Sequence, residues 1–157
     1  SSTIRAMSGH PLRLLFVCSG NLCRSPMAEG IARYLGEQRG IELEARSCGT
    51  IARPGMPASG NAVTACAEKE VDISGHQSQP LTRELVEWAD QILVMEENHL
   101  HAVNAKDWRA PFKTWALGSF TNRSQIKDPY KRSMRKYRKA REQVWNAVDL
   151  ALQRLAV

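Results

Sequence analysis

Leu14-Leu15-Phe16-Val17-Cys18-Ser19-Gly20-Asn21-Leu22-Cys23-Arg24-Ser25-Pro26 is the stretch on which the reading of this chain turns. The apolar run at its start, followed at once by turn residues, predicts a buried strand over Leu12–Val17. The segment at its end predicts a helix over Pro26–Arg39. Pro26 suits a first helical position. Met27, Ile31, Tyr34 and Leu35 recur at helical spacing, and Gly40 supplies a stop. Between strand and helix lies a tight loop. It carries Cys18 and Arg24 with five residues between them.

Outward from that loop the pattern alternates. Ile41–Ala45 alternates apolar and acidic residues and reads as a second strand. Gly49–Gly60 reads as a loop with Pro54 and Pro57. Ala62–Glu70 reads as a helix, Gly75–Pro80 as a turn, and Leu81–Trp88 as a short helix. Gln91–Met95 is a third apolar strand, followed by a helix near Glu96–Val103. Lys113–Leu117 is a fourth strand. Ser133–Leu155 is a long terminal helix, with Met134, Tyr137, Val144, Val148 and Leu152 on its core face. Strands alternating with helices predict an α/β fold, a parallel sheet with helices on both faces. Ligands in such folds bind beyond the carboxyl ends of the strands, where the Cys18 loop lies.

The chain has 157 residues, 43% hydrophobic and 24% charged, which suits one globular domain with a sizeable core. Residues 1–11 read as a flexible lead-in and residues 12–157 as the domain. No apolar stretch approaches the roughly 20 residues of a membrane span, and no signal-peptide core precedes the first strand. No membrane insertion is expected. The four cysteines, Cys18, Cys23, Cys48 and Cys66, show neither zinc-ligand nor disulfide-framework spacing, and with no export signal a reducing cytoplasm is expected. The net charge of +6 is concentrated in Lys127, Lys131, Arg132, Arg135, Lys136, Arg138, Lys139 and Arg141. That run reads either as a solvated helix face or as a field for an acidic or phosphorylated partner. No nucleic-acid-binding motif accompanies it, and nucleic acid is not an expected partner.

The loop has a definite chemistry. A thiolate is a nucleophile, and a helix start with an arginine beside it favours an anion. The amides of Ser19, Gly20, Asn21, Leu22, Cys23, Arg24 and Ser25 suit phosphate oxygens for the same reason. The planar fork of Arg24 grips two oxygens at once. Gly20 and Asn21 fit unusual backbone angles. Ser25 places a hydroxyl near Cys18. Cys23 is a second thiol close by, able to form a protective disulfide. Cys and Arg at this spacing also occur by chance, and buried cysteines usually only pack. The whole string between a strand and a helix is what carries the reading. An oxygen ester also needs a general acid. Asp128, in Lys127-Asp128-Pro129-Tyr130, is the candidate, although Asp-Pro alone is a turn former.

With these residues in place the chain resembles the low-molecular-weight protein tyrosine phosphatase family. The loop matches its Cys-x-Gly-Asn-x-Cys-Arg-Ser-Pro signature, and Asp128-Pro129-Tyr130 its Asp-Pro-Tyr motif. Ser47-Cys48-Gly49-Thr50, Asp72-Ile73-Ser74-Gly75-His76 and Asp90–Glu96 resemble further segments. The resemblance implies a single-domain, three-layer fold with a four-stranded parallel sheet and the phosphatase loop after the first strand. It implies hydrolysis of protein phosphotyrosine without cofactor or metal. Cys18 is the implied nucleophile, Arg24 the phosphate-binding group and Asp128 the acid, then base. Asn21, Ser25, Ser47 and His76 become a network that fixes the loop, although His76 alone reads as a turn histidine.

Two departures bear on substrate. No aromatic follows Thr50, where many members have one, so Leu22, Arg53 and Tyr130 are the expected slot residues. Lys131, not a second Tyr, follows Tyr130. Both features resemble the bacterial branch associated with tyrosine kinases of exopolysaccharide export, which implies the tail of such a kinase as partner and a monomer or weak dimer as assembly. Phosphoarginine phosphatases of the family resemble the loop but carry Thr in place of Leu22. The alternatives are thiol-dependent arsenate reduction on the same fold, for which Cys48 and Cys66 form no close sequence pair, and a phosphotyrosine-binding module without catalysis.

Overall fold

The computed structural model describes residues 9–156. Most of the lead-in expected over residues 1–11, and Val157, lie outside the described residues. The elements run β1 (Leu12–Cys18), α1 (Arg24–Arg39), β2 (Leu43–Gly49), α2 (Gly60–Ala67), α3 (Arg83–Trp88), β3 (Gln91–Val94), α4 (Glu97–Asn104), β4 (Thr114–Ala116) and α5 (Met134–Leu155). All strand pairs are parallel, in the order β2-β1-β3-β4. β1 therefore has neighbours on both sides, reached by connections that leave in opposite directions. That reversal opens a crevice at the carboxyl end of β1, next to Cys18.

Strand alternation builds the two helical layers. Leu12, Leu14, Phe16 and Cys18 belong to one core, together with Met27 and Ile31 of α1, Ala62 and Cys66 of α2, and Val144 and Val148 of α5. Leu15 and Val17 face the other core, with Leu85 and Val86 of α3 and Val103 of α4. Phe16 is fully buried, and burial of such a side chain contributes roughly 1.5–3 kcal/mol. Among the described residues no helix is long and apolar enough to cross a membrane.

Three expectations shift. The first helix begins at Arg24, two residues before Pro26. A proline fits anywhere in a first turn, because those N–H groups have no intrahelical partner. The second strand runs over Leu43–Gly49 rather than Ile41–Ala45. Its polar end, Ser47-Cys48-Gly49, is buried because it pairs with Phe16-Val17-Cys18, so the alternation at residues 41–45 marks only its entry. In the basic run, Arg141 is buried rather than solvated, donating to the Ala65 carbonyl at 2.8 Å.

Candidate active site

Cys18 ends β1 opposite Gly49 of β2. A Cβ on Gly49 would meet the Ser19 carbonyl, with Asn21 N at 2.9 Å, so only glycine lets the loop cross here. Asn21 adopts φ 58, the left-handed region that asparagine tolerates. Its polar atoms are all engaged. The amide donates to Cys18 Sγ at 3.2 Å. The carbonyl accepts from His76 Nε2 at 2.7 Å. Oδ1 accepts from the Gln79 amide at 2.9 Å. Nδ2 donates to Ser25 Oγ at 2.8 Å and to Ser47 Oγ at 2.9 Å. Ser47 in turn donates to Glu29 Oε1 at 2.7 Å.

Ser25 Oγ lies 2.9 Å from Cys18 Sγ. Ser25 accepts from Asn21, and its one proton has two acceptors in reach, a Cys18 thiolate at 2.9 Å and the Cys48 carbonyl at 3.4 Å, of which the nearer, charged sulfur is favoured. Arg24 and Ser25 open α1, which has no side-chain cap, and their backbone N–H groups lack intrahelical partners. Such donors suit an anion.

Arg24 is 1% exposed. Its Nη1 donates to Glu96 Oε2 at 2.6 Å and to the Ile126 carbonyl at 2.8 Å. Its Nη2 lies 3.6 Å from Asp128 Oδ2. Its Nε is buried without a partner. A buried N–H left unpaired is costly, so Nε is a donor held ready for a ligand oxygen.

Glu96 caps α4. Its amide donates to Nδ1 of the buried His99 at 3.1 Å. Burial, with the Arg24 charge second, pushes the His99 pKa below the ordinary imidazole value. Nδ1 therefore accepts, Nε2 carries the proton, and it donates to Ser19 Oγ at 2.9 Å.

Cys18, Ser19, Gly20 and Arg24 floor a cleft whose walls include Leu22, Ile51, Asp128 and Tyr130. Arg53, expected in the slot, is not among the lining residues. Residues 50 and 51 are fastened to the Cys18 and Ser19 carbonyls, both at 3.0 Å. Beyond them the chain turns away, and the Arg53 carbonyl accepts from the Ser78 hydroxyl. Ile51, 79% exposed, stands at the cleft instead. Asp128 Oδ1 accepts from the Tyr130 amide at 3.0 Å, which fixes the carboxylate in the cleft that both residues line.

All four cysteines are free thiols. Cys23 Sγ lies 3.3 Å from Ser59 Oγ and 3.4 Å from Tyr137 Oη, and burial pushes its pKa up. Cys48 and Cys66 fall in the two different cores. A distal cysteine pair of the kind arsenate reduction needs is thus not assembled.

The structure brings together Cys18, Asn21, Arg24, Ser25, Ser47, His76 and Asp128. Sequence reading missed Glu96, His99, Glu29 and Gln79. A charge at Glu96, just after an apolar strand, is a signal that could have flagged the residue, though not its partner Arg24.

Residues 13–156 match the family described as low molecular weight phosphotyrosine protein phosphatase. A protein-arginine-phosphatase of Bacillus subtilis is 35% identical over 83% of this chain and 88% of its own length. A probable low molecular weight protein-tyrosine-phosphatase, EpsP, of Ralstonia solanacearum is 36% identical over 90% of this chain and 94% of its own. The crystal structure of the Erwinia amylovora tyrosine phosphatase AmsI superposes with a TM-score of 0.88 at 28% identity, covering 99% of this chain and 100% of that one.

Proposed function

The chain belongs to the low molecular weight phosphotyrosine protein phosphatase family, and on that premise we propose that it hydrolyses phosphotyrosine in proteins through a cysteinyl-phosphate. One observation carries the reading. Cys18 Sγ is held by the Asn21 amide and Ser25 hydroxyl in the same cleft as the Asp128 carboxyl.

The Cys18 thiolate attacks phosphorus, and the bond from phosphorus to the phenolic oxygen breaks. That oxygen leaves with the electron pair and takes the proton of Asp128. Arg24 and the loop amides hold the charge on the equatorial oxygens. Water then attacks the cysteinyl-phosphate, giving its proton to the Asp128 carboxylate. Ser25 donates to the departing sulfur. Asn21, Ser47 and His76 keep the loop in shape during both steps.

Leu22, Ile51 and Tyr130 offer an apolar, partly aromatic wall that suits a flat aryl ester. A guanidinium substrate would want polar partners there. The proposed partner is a tyrosine-phosphorylated protein of the cytoplasm, with the tail of a bacterial tyrosine kinase as the candidate. The domain proposed for this work spans residues 12–157 and acts as a monomer or weak dimer. The relatives named arginine phosphatases make the substrate test direct. Two peptides, one with phosphotyrosine and one with phosphoarginine, are offered alongside p-nitrophenyl phosphate with and without vanadate. Vanadate-sensitive release of phosphate from the aryl ester and the phosphotyrosine peptide is expected. Turnover of the phosphoarginine peptide alone would overturn the assignment.

A further inference from the structure

Helix α5 and the segment leading into it carry two kinds of cation. Arg138 grips Glu68 through Nε at 3.0 Å and Nη2 at 2.8 Å, and Arg141 Nη1 adds a bond at 2.8 Å. These two arginines hold the Glu68 carboxyl down to about 2. A different stripe of the same region, Arg132, Lys136 and Lys139, faces a groove of about 290 Å³. Arg123 and Lys127 line that groove from the chain leading to Asp128. None of these five cations pairs with an acid among the described residues. Exposed arginines elsewhere do, as Arg33 with Glu29 and Arg83 with Glu87 show, both at 2.8 Å.

The groove is joined to the catalytic cleft. Asp128 lines both. It is also the one acid lining the groove, and its Oδ2 faces Arg24 at 3.6 Å. Cations from two segments of chain thus face one concavity without a counter-ion, which concentrates a positive field beside the reacting centre. Lys136, Lys139 and Gln143 sit at i, i+3 and i+7 along α5, about 10 Å of one helix face. A single dianion is best held by convergent donors. A spread stripe fits several carboxylates set along an extended chain.

We propose that this groove docks an acidic, Asp/Glu-rich segment of the substrate polypeptide while the phosphorylated residue occupies the Cys18 cleft. The proposal rests on the phosphotyrosine reading above. It makes the region after Asp128 a determinant of which phosphoprotein is chosen, separate from the chemistry.

The test compares phosphotyrosine peptides of equal length, with an acidic run or its amide counterpart on either flank. Wild type, Lys136→Glu/Lys139→Glu and Lys136→Gln/Lys139→Gln are assayed, with p-nitrophenyl phosphate as the small substrate. The acidic peptide on one flank should show a KM about tenfold lower than its neutral counterpart, a gap that narrows with added salt. Both variants should lose the gap while hydrolysing p-nitrophenyl phosphate like wild type. Equal KM values for acidic and neutral peptides in wild type, or a gap that survives in both variants, would overturn the proposal. So would a gain confined to a peptide with a second phosphotyrosine, or competition by a single-stranded oligonucleotide but not by the acidic segment. Failure of wild type to hydrolyse any phosphotyrosine substrate would instead remove the reading on which the proposal stands.

Discussion

Arg24 and Glu96 are joined at 2.6 Å, although 72 residues separate them in sequence. Glu96 follows β3 and opens α4, so the end of one strand holds the guanidinium that crosses the end of another. With Nη1 engaged by Glu96 and the Ile126 carbonyl, the fork has a fixed plane, and Nε, with Nη2 at 3.6 Å from Asp128 Oδ2, is left to meet a ligand.

Glu96→Gln should therefore cost more in turnover than in folding. Displacing a phosphate-binding group by an ångström is enough to lower rates about 100-fold. A fall in kcat/KM of about 10–100-fold is expected, with a native far-UV spectrum, and partial rescue by Glu96→Asp. Unchanged kcat/KM in the Gln variant would show that Glu96 does not position Arg24.

Asn21 combines a left-handed backbone with bonds to Ser25, Ser47 and the Gln79 amide. Asn21→Ala loses the bonds and adds backbone strain; Asn21→Gly loses only the bonds. Urea denaturation should show the Ala variant less stable than wild type by about 2–4 kcal/mol, from unsatisfied buried groups and the left-handed penalty. The Gly variant should recover about 1 kcal/mol of that. Equal stability of the two variants would remove the backbone contribution.

His99 gives a pH dependence whose sign is fixed. Burial and Arg24 lower its folded pKa. The unfolded chain then binds the proton more readily, at its ordinary value near 6.5. The contribution of His99 to stability is complete above that value. It is lost as pH falls through 6.5 toward the lower folded pKa. Thermal unfolding at pH 7.5 and pH 5 should show a larger drop for wild type than for His99→Gln, whose side chain can both accept and donate. Identical drops in the two proteins would contradict this.

Asp128 is placed to protonate a leaving oxygen, so its removal should matter most where that oxygen is a poor leaving group. Asp128→Ala should slow a phosphotyrosine peptide by about 100-fold or more and an activated aryl phosphate much less. Equal slowing of both substrates would argue against the acid role.

How much of this was legible in the sequence follows from chain distance. The Cys18 loop is covalently local, so strand, turn and helix could be read together. Ser47 and His76 stood out through family resemblance, and their bonds to Asn21 give them a place in the loop. The Arg24–Glu96 and Ser19–His99 pairs span 72 and 80 residues and depend on β3 lying beside β1. No local pattern announces such pairs. Arg53 falls outside the cleft lining for a similar reason. The bonds from Thr50 and Ile51 to the Cys18 and Ser19 carbonyls decide which side chain reaches the cleft. The second strand reads short in the sequence because a buried Ser47-Cys48-Gly49 carries no apolar alternation.

The most direct measurement is acid quenching of Asp128→Ala during turnover of p-nitrophenyl phosphate, followed by peptide mapping by mass spectrometry. The expected result is one phosphoryl group on Cys18 itself, while a parallel sample of Cys18→Ser should show no sustained release of nitrophenol. Undiminished hydrolysis by Cys18→Ser would contradict a cysteinyl-phosphate at this loop.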